Sequence, residues 1–408
     1  MISYINKLIS ILVLISFSFF LLVPKSGVIV FFILVLSILG LFLTRDSKVL
    51  LSSSDKYFLL TITAFFLLSL LNVIYHNGSL RDIDIDSRFI IVIPIFLYLR
   101  KINLRSETIV YSVVTASIIY GLLAINIDLS ADFVKNPFSK NTGMVSLYAG
   151  IFSISSLFFI HKKNKVLKNL FISLGVFSGL YATLIAGGRG AWLGSLVILL
   201  TYFFINPLNI SKKIRSIIAL GFLGVSIIFS TSSNSVVMYK IETGFNEFIN
   251  FFQNNEVGGA VGQRLEMYKA ASILIQEKPI LGYGIDQFKT EKQKLIDEGR
   301  ISKKIQSYRH PHNEFISTTF EKGLVGLISL LALLLFPVIK SFKILIKASK
   351  FDSSENVPAI FLYVVSLEYL IYAFTNAIFA HQNMALFFAL SMVISLGICS
   401  KNTTTQKT

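Results

Sequence analysis

The sequence has 408 residues, of which 54% are hydrophobic and 37 are phenylalanine, and its mean hydropathy is +0.70. These values exclude an ordinary water-soluble domain and predict an all-α polytopic membrane protein. The formal net charge is +16. A single cysteine, Cys399, excludes an intrachain disulfide and a cysteine-built metal site.

Twelve apolar segments are predicted to span the membrane, each about the length that a bilayer requires. They lie near residues 8–23, 27–44, 57–75, 84–99, 108–126, 143–160, 169–186, 190–206, 216–231, 322–339, 358–378 and 383–399. The first follows a short start that bears only Lys7 and has no small-residue cleavage site. This favours a retained anchor over a removed signal peptide.

The positions of the charges predict the orientation of the chain. With a cytoplasmic N-terminus, the cytoplasmic segments hold 20 of the 38 Lys and Arg residues but only five of the 22 Asp and Glu residues. This is the positive-inside pattern of membrane proteins. It predicts that both termini are cytoplasmic, and it accounts for the basic charge without nucleic acid as a partner.

One long loop, residues 232–312, is predicted on the outer face between the ninth and tenth segments. It carries eleven basic and nine acidic residues, which indicates a folded, mixed surface. The spacing predicts an amphipathic helix over 236–252, a second helix from Gly262 to Pro279 and a short polar helix over 288–299. The predicted organisation is therefore nine membrane helices in residues 1–231, the outer loop, and three membrane helices with a short tail in residues 313–408.

The segment GGRGAWLG, residues 187–194, contains the one charge between Lys168 and Lys212, Arg189. As one helix this stretch would reach about 60 Å, roughly twice the hydrocarbon thickness, so it must cross the membrane twice. The bend then places Arg189 at the outer surface. A lone arginine there is more often a snorkelling interface residue than a ligand.

Two histidines, His310 and His312, lie in the segment RHPHNEF at residues 309–315, on the same predicted face as Arg189 and Arg264. A histidine can take a proton from a hydroxyl near neutral pH, and arginine binds diphosphate in a bidentate manner. These residues suit group transfer from a diphosphate leaving group. Polar residues at the end of a helix are, however, commonly solvent-exposed capping residues without a catalytic role.

Five motifs resemble, in the same order, those of the O-antigen ligase and polymerase superfamily. They are GGRGAWLG, G-x-R-L-x-M-Y from Gly262, the turn G-Y-G, H-P-H-N-E-F, and E-K-G-L-V-G-L at the start of a long apolar helix. The resemblance covers the whole chain and is most specific over 187–326. It implies twelve helices with one large periplasmic loop, resembling the GT-C type glycosyltransferase architecture, in a bacterial inner membrane.

The resemblance is greatest to the O-antigen ligase, which moves a glycan from undecaprenyl diphosphate to lipid A-core in the periplasmic leaflet. It implies that Arg189 and Arg264 hold the diphosphate and that His312 is the base, with His310 and Asn313 in support. It also implies an inverting reaction without metal or cofactor. The implied partners are the undecaprenyl-diphosphate-linked glycan, lipid A-core and membrane lipids.

Five residues keep two interpretations each. Asp82, Asp84 and Asp86 imitate the D-x-D metal signature of other glycosyltransferases, although alternate acids in a short loop are more often solvated. Arg88 is predicted as a third diphosphate contact or as a partner of Asp84. Glu368, an acid in mid-membrane, is either functional or a polar tie to a neighbouring helix.

Two other functions remain open. A polymerase of the same superfamily uses the same diphosphate chemistry with a second lipid-linked glycan as acceptor, and sequence separates it poorly from a ligase. A polysaccharide transporter or flippase needs charged residues along the membrane interior, where only Glu368 qualifies.

Overall fold

The computed structural model describes residues 1–20, 27–102, 104–129, 142–160, 164–205, 236–347 and 353–399. Every regular element in these ranges is helical. The helices are α1 (Ile2–Phe19), α2 (Gly27–Leu43), α3 (Ser53–Tyr75), α4 (Asp84–Ile91), α5 (Ile93–Leu99), α6 (Ser106–Leu129), α7 (Thr142–Phe159), α8 (Val166–Ala186), α9 (Arg189–Ile205), α10 (Val236–Asn254), α11 (Gly259–Glu277), α12 (Phe288–Asp297), α13 (Glu314–Lys347), α14 (Ser353–Tyr372) and α15 (Gln382–Cys399). Short 3₁₀ turns lie at Leu80–Ile83, Lys303–Ile305 and Ile378–Ala380.

Six of these helices, α3, α6, α7, α8, α13 and α15, are long and apolar enough to cross a membrane. Four more, α1, α2, α9 and α14, are apolar but shorter. These ten helices coincide with ten of the predicted segments, which confirms an all-helical, multi-pass membrane character. The predicted ninth segment, residues 216–231, lies outside the described residues. Twelve crossings and the GT-C-like arrangement stay predictions.

The predicted span over 84–99 is wrong as a single helix. The structure breaks it at Val92 into α4, with eight residues, and α5, with seven. Pro94 lies at the start of α5, where a missing backbone N–H leaves no helical hydrogen bond unmade. Each piece rises only about 12 Å, so neither can cross a bilayer alone.

Helices α7 and α15 lie at the centre of the bundle, since 89% of the residues in the apolar window of each are buried. Tyr148 and Phe152 of α7 pack on Phe387 of α15, with ring centroids 4.5 and 5.8 Å apart. Phe17 of α1 and Tyr369 of α14 contact the same ring at 5.6 and 6.2 Å. Aromatic pairs at these separations attract one another, so this cluster fixes the positions of α1, α7, α14 and α15.

Helix α13 is interrupted at Gly323, which has φ 64° and ψ −165°. The turn at residues 279–284, PILGYG, docks into the interruption. Two of its amides donate to the carbonyls of Phe320 and Glu321, both at 2.9 Å, and its first carbonyl accepts the amide of Leu324 at 2.8 Å. The backbone groups that the kink frees are therefore bonded to the turn, as buried polar groups must be. This junction ties the outer segment to a membrane helix.

Replacing Gly323 with alanine is expected to destabilise the protein by roughly 3 kcal/mol or more. A left-handed backbone costs a residue with a side chain about 1–2 kcal/mol. In addition, a Cβ at this position would collide with the carbonyl of Ile280. Gly299 is the control, because its φ is 72° but a Cβ there has nothing within 4 Å, so Gly299→Ala should show the backbone cost alone. Thermal unfolding in detergent measures both; equal losses would contradict the docking argument.

The outer helices α10, α11 and α12 confirm the three helices predicted in the long loop. Helices α11 and α12 pack through an apolar cluster that includes Met267, Leu274, Phe288 and Leu295, and that reaches Phe320 of α13. Helix α10 is amphipathic. Its exposed stripe contains Ile241, Phe245, Phe248 and Phe252. The cluster holds α11 and α12 as a folded unit on top of the start of α13.

Candidate functional site

The segment GGRG forms the junction between α8 and α9. Gly187 ends α8 in the left-handed conformation, with φ 70°, and α9 begins at Arg189. The amide of Gly188 donates to Ser146 Oγ on α7 at 3.2 Å. The guanidinium of Arg189 packs against Gly244 of α10. The turn therefore presents Arg189 to the outer helices, at the bend that the sequence predicts.

Helices α10 and α11 form a hairpin, and Arg264 lies on its second helix. Glu247 of α10 accepts the amide of Val261, in the first turn of α11, at 2.7 Å. The Cβ direction of Gly244 points at both Arg189 and the side chain of Val261. Arg264 lies three residues after Val261, on the same face of α11. The hairpin therefore contacts Arg189 through α10 and bears Arg264 on α11.

His312 precedes α13 and has φ 54°, unusual for a residue with a side chain. Its Nδ1 lies 3.3 Å from Oδ1 of Asn376. The amide nitrogen of Asn376 in turn donates to the hydroxyl of Tyr372 at 3.0 Å. With the amide so oriented, Oδ1 accepts and Nδ1 of His312 carries the proton. The lone pair of His312 is then on Nε2.

The backbone around His312 is clamped between α11 and the end of α14. The hydroxyl of Tyr268, four residues after Arg264, lies 3.4 Å from the carbonyl of His312. Asn313 caps α13 by accepting the amide of Ile316 at 3.1 Å and donates to the carbonyl of Phe374 at 3.0 Å. Asn313 therefore supports the conformation of the histidine segment.

Electrostatics keep His312 neutral. Burial lowers its pKa below the usual 6.5, the hydrogen bond with Asn376 raises it, and the charge of Arg264 lowers it further. A neutral imidazole with a free Nε2 can accept a proton. The ring of His310 lies 4.5 Å from that of His312, and burial, together with its histidine and lysine neighbours, lowers the pKa of His310 to about 3.

Lys292 of α12 holds the segment that leads to these histidines. Its buried Nζ donates to the carbonyls of Ile305, Gln306 and Tyr308, at 2.6, 3.3 and 2.5 Å. A charged amine with three acceptors is a strong anchor, because each hydrogen bond is charge-assisted. Lys292 thus fixes the path of the chain into His310 and His312.

Comparison with known proteins places this geometry in a family. A family model described as O-antigen ligase matches residues 174–331. The chain carries an O-antigen ligase domain. The matched region contains Arg189, Arg264 and His312, and it ends within α13. The family resemblance predicted from the motifs is confirmed over these residues, and the domain supports an activity of the O-antigen ligase or polymerase type.

One relative is an uncharacterized protein of Haemophilus influenzae. It is 26% identical over 314 residues, which are 75% of this chain and 78% of the relative. The similarity therefore extends well beyond the O-antigen ligase domain.

The three outer aspartates lie outside the O-antigen ligase domain and have separate partners. Asp82 caps the turn at Ser79, and Asp84 pairs with Arg88. The expectation that all three are solvated is wrong for Asp86, which is buried and bonded to Lys322 Nζ at 2.6 Å. Within the described ranges, no group of three or more His, Cys, Asp or Glu side chains is arranged to hold a metal ion.

Arg88 and Glu368 have contrasting surroundings. Arg88 donates to both carboxylate oxygens of Asp84 at 2.9 Å, as the interpretation of Arg88 as a partner of Asp84 predicts. Its contact with a diphosphate stays a prediction. Glu368 is fully buried beside Gly194 of α9. Among the described residues, neither of its carboxylate oxygens has a hydrogen-bond partner. The structure therefore favours neither interpretation of Glu368.

Sequence reasoning missed Asn376, Tyr372, Tyr268 and Lys292. The first two lie beyond the O-antigen ligase domain, and Asn376 bonds a residue 64 positions earlier in the chain. One available signal was the polar stretch TNAIFAHQN between two apolar segments, since polar residues there must find partners. Lys292 gave no signal, because it resembles the other lysines of a polar helix.

Proposed function

We propose that the protein transfers O-antigen glycan from undecaprenyl diphosphate to lipid A-core, on the periplasmic face of the bacterial inner membrane. The observation that carries the proposal is one hairpin, α10–α11, that contacts Arg189 through Gly244, bears Arg264, and places the hydroxyl of Tyr268 3.4 Å from the carbonyl of His312. Two permanent cations suit a diphosphate leaving group, and the nearby base suits a hydroxyl nucleophile.

In the proposed reaction, Nε2 of His312 takes the proton of the acceptor hydroxyl. The acceptor oxygen bonds to the anomeric carbon from the face opposite the diphosphate, and the bond from that carbon to the diphosphate oxygen breaks with inversion. Negative charge grows on the departing diphosphate. Arg189 and Arg264 stabilise this charge as it develops, which lowers the barrier. Asn376 keeps the proton on Nδ1 throughout.

The proposal is tested by deleting the gene and separating the lipopolysaccharide on a gel. Loss of a ligase leaves core without any O-chain, whereas loss of a polymerase leaves core with one repeat unit. A transporter defect would deprive both steps of substrate and cause lipid-linked glycan to remain on the cytoplasmic side. Wild-type and His312→Ala genes are returned as a matched pair. Core with single repeat units would contradict the ligase assignment and favour a polymerase.

Transfer is expected to continue in excess chelator, because two arginines neutralise the diphosphate in this scheme. Asp82→Asn and Asp84→Asn should change kcat by less than about threefold, since neither acid is a metal ligand in it. Asp86→Asn is different, because it leaves Lys322 buried without its charge partner and should destabilise the fold. Purified protein, assayed with chelator and then with added magnesium or manganese, provides the measurement. Activity lost in chelator and restored by metal would overturn the arginine scheme.

A further inference from the structure

A cavity of about 450 Å³ lies beside the proposed site. Its walls come from the turn before α4, the segment around Asp286, the start of α13 and residues 377–382. Its volume is in the range of small-ligand pockets, ~300–1,000 Å³. Neither Arg189, Arg264 nor His312 lines it, so the cavity is separate from the groups that hold the diphosphate in the proposed reaction.

His310 connects the cavity to the base. It lines the cavity, and its ring is 4.5 Å from the ring of His312. The Nδ1 atom of His310 is buried and has no hydrogen-bond partner among the described residues. His381 lies on the same wall, with its ring 6.2 Å from His310. A buried nitrogen without a partner is unusual and suits a site that a polar ligand completes.

The charges of the lining argue against phosphate in this cavity. Six carboxyl side chains line it, those of Asp82, Asp84, Asp86, Asp286, Glu314 and Glu321. Only three cationic side chains, Arg81, Arg309 and Lys322, face them, and Lys322 is already bonded to Asp86. A lining in which carboxyl side chains outnumber cationic ones does not attract anions.

The same lining suits hydroxyl groups. Carboxylates accept strong hydrogen bonds from hydroxyl groups, and an amide or an arginine donates hydrogen bonds to the hydroxyl oxygens. Gln382 lies exposed at the mouth and donates to Asp84 at 2.6 Å. A metal ion is disfavoured, because the acids of the described residues form no cluster that could hold one.

We propose that this cavity binds an uncharged sugar unit of the acceptor glycan through its hydroxyl groups, beside His310 and opposite the diphosphate. The inference rests on the proposed function, because inversion requires the acceptor to approach from the face away from the leaving group. The donor glycan offers the same chemistry, so the test must separate the two sources.

Two variants of the full-length protein in lipid nanodiscs test the cavity. Ala380→Leu fills it from an exposed position on its wall, and Gln382→Ala removes a polar group at its mouth. Gln306→Ala is the matched control, since that glutamine is exposed and lies outside the cavity. Transfer rates are measured while purified lipid A-core and the lipid-linked glycan are varied in turn, and equilibrium binding of lipid A-core is measured separately.

Both cavity variants should raise the KM for lipid A-core and weaken its binding about tenfold, with the KM for the lipid-linked donor unchanged. The control should behave as wild type. A rise confined to the KM for the lipid-linked donor would overturn the acceptor assignment. If the wild type transfers normally and both cavity variants keep the wild-type constants, the cavity site alone is overturned. A wild type that binds lipid A-core through this cavity but never transfers would instead overturn the proposed function.

Discussion

Replacing His312 with alanine is expected to lower glycan transfer by about 10²–10⁴-fold, the usual contribution of a positioned general base. The physical reason is the orientation of its ring: Nδ1 is bonded to Asn376, so Nε2 is the available acceptor. Folding should survive, because the side chain is only partly buried. Transfer by purified protein, with expression and thermal unfolding measured in parallel, checks both expectations.

A second variant separates catalysis from stability. Because His312 has φ 54°, His312→Gly should relieve backbone strain and be at least as stable as His312→Ala, while it is equally inactive. Normal transfer by either variant, at normal expression, would remove His312 from the mechanism.

The pH dependence of the wild type should follow His312. Its folded pKa lies below 6.5, so the base is neutral at pH 7 and transfer should decline only as the pH falls through that lowered value. His310, with a pKa of about 3, stays neutral throughout. Both histidines bind protons more weakly when folded, so the unfolded chain gains protons first and stability should also fall below pH 6.5. The transfer rate of His310→Ala is measured over the same pH range. A shift of its acid limb relative to the wild type, without a matching change in unfolding, would assign the limb to His310.

Replacing Arg264 or Arg189 with lysine is expected to be nearly as damaging as replacing either with alanine, with losses of about a hundredfold. Lysine keeps the charge but loses the planar fork that bonds two phosphate oxygens together. Arg264→Lys also keeps the charge near His312, so the acid limb of the pH profile should move little.

Arg300→Lys is the matched control, because Arg300 is exposed and forms a surface pair with nearby Glu298. It should leave transfer unchanged. Full activity of the lysine variant at position 189 or 264 would mean that a point charge suffices there, and the bidentate arrangement would be wrong for that residue.

The sequence predicted the outer helices well, because glycine, proline and a helical period mark their ends. It failed where the chain depends on distant partners. Glu321 and Lys322 read as an interfacial start to the tenth span, yet α13 begins at Glu314 and Lys322 is buried against Asp86. The break at Val92 had a local signal in Pro94, but the apolar run concealed it.

The candidate site shows the same division. Its predicted members, Arg189, Arg264 and His312, stand in motifs that local spacing reveals. Asn376, which orients the ring of His312, has no distinctive sequence signal, because its contact depends on the packing of α13 against α14. Motifs therefore predicted the members of the candidate site, whereas the tautomer of His312 required the fold.

The bond between Asp86 and Lys322 also has a consequence for how the chain is made. The two residues are 236 positions apart, and synthesis delivers the N-terminal one first. Until α13 is synthesised, the carboxylate of Asp86 in α4 lacks its partner Lys322, and an unpaired charge inside a membrane protein is costly. The final packing of the short helix α4 therefore depends on the later synthesis of α13.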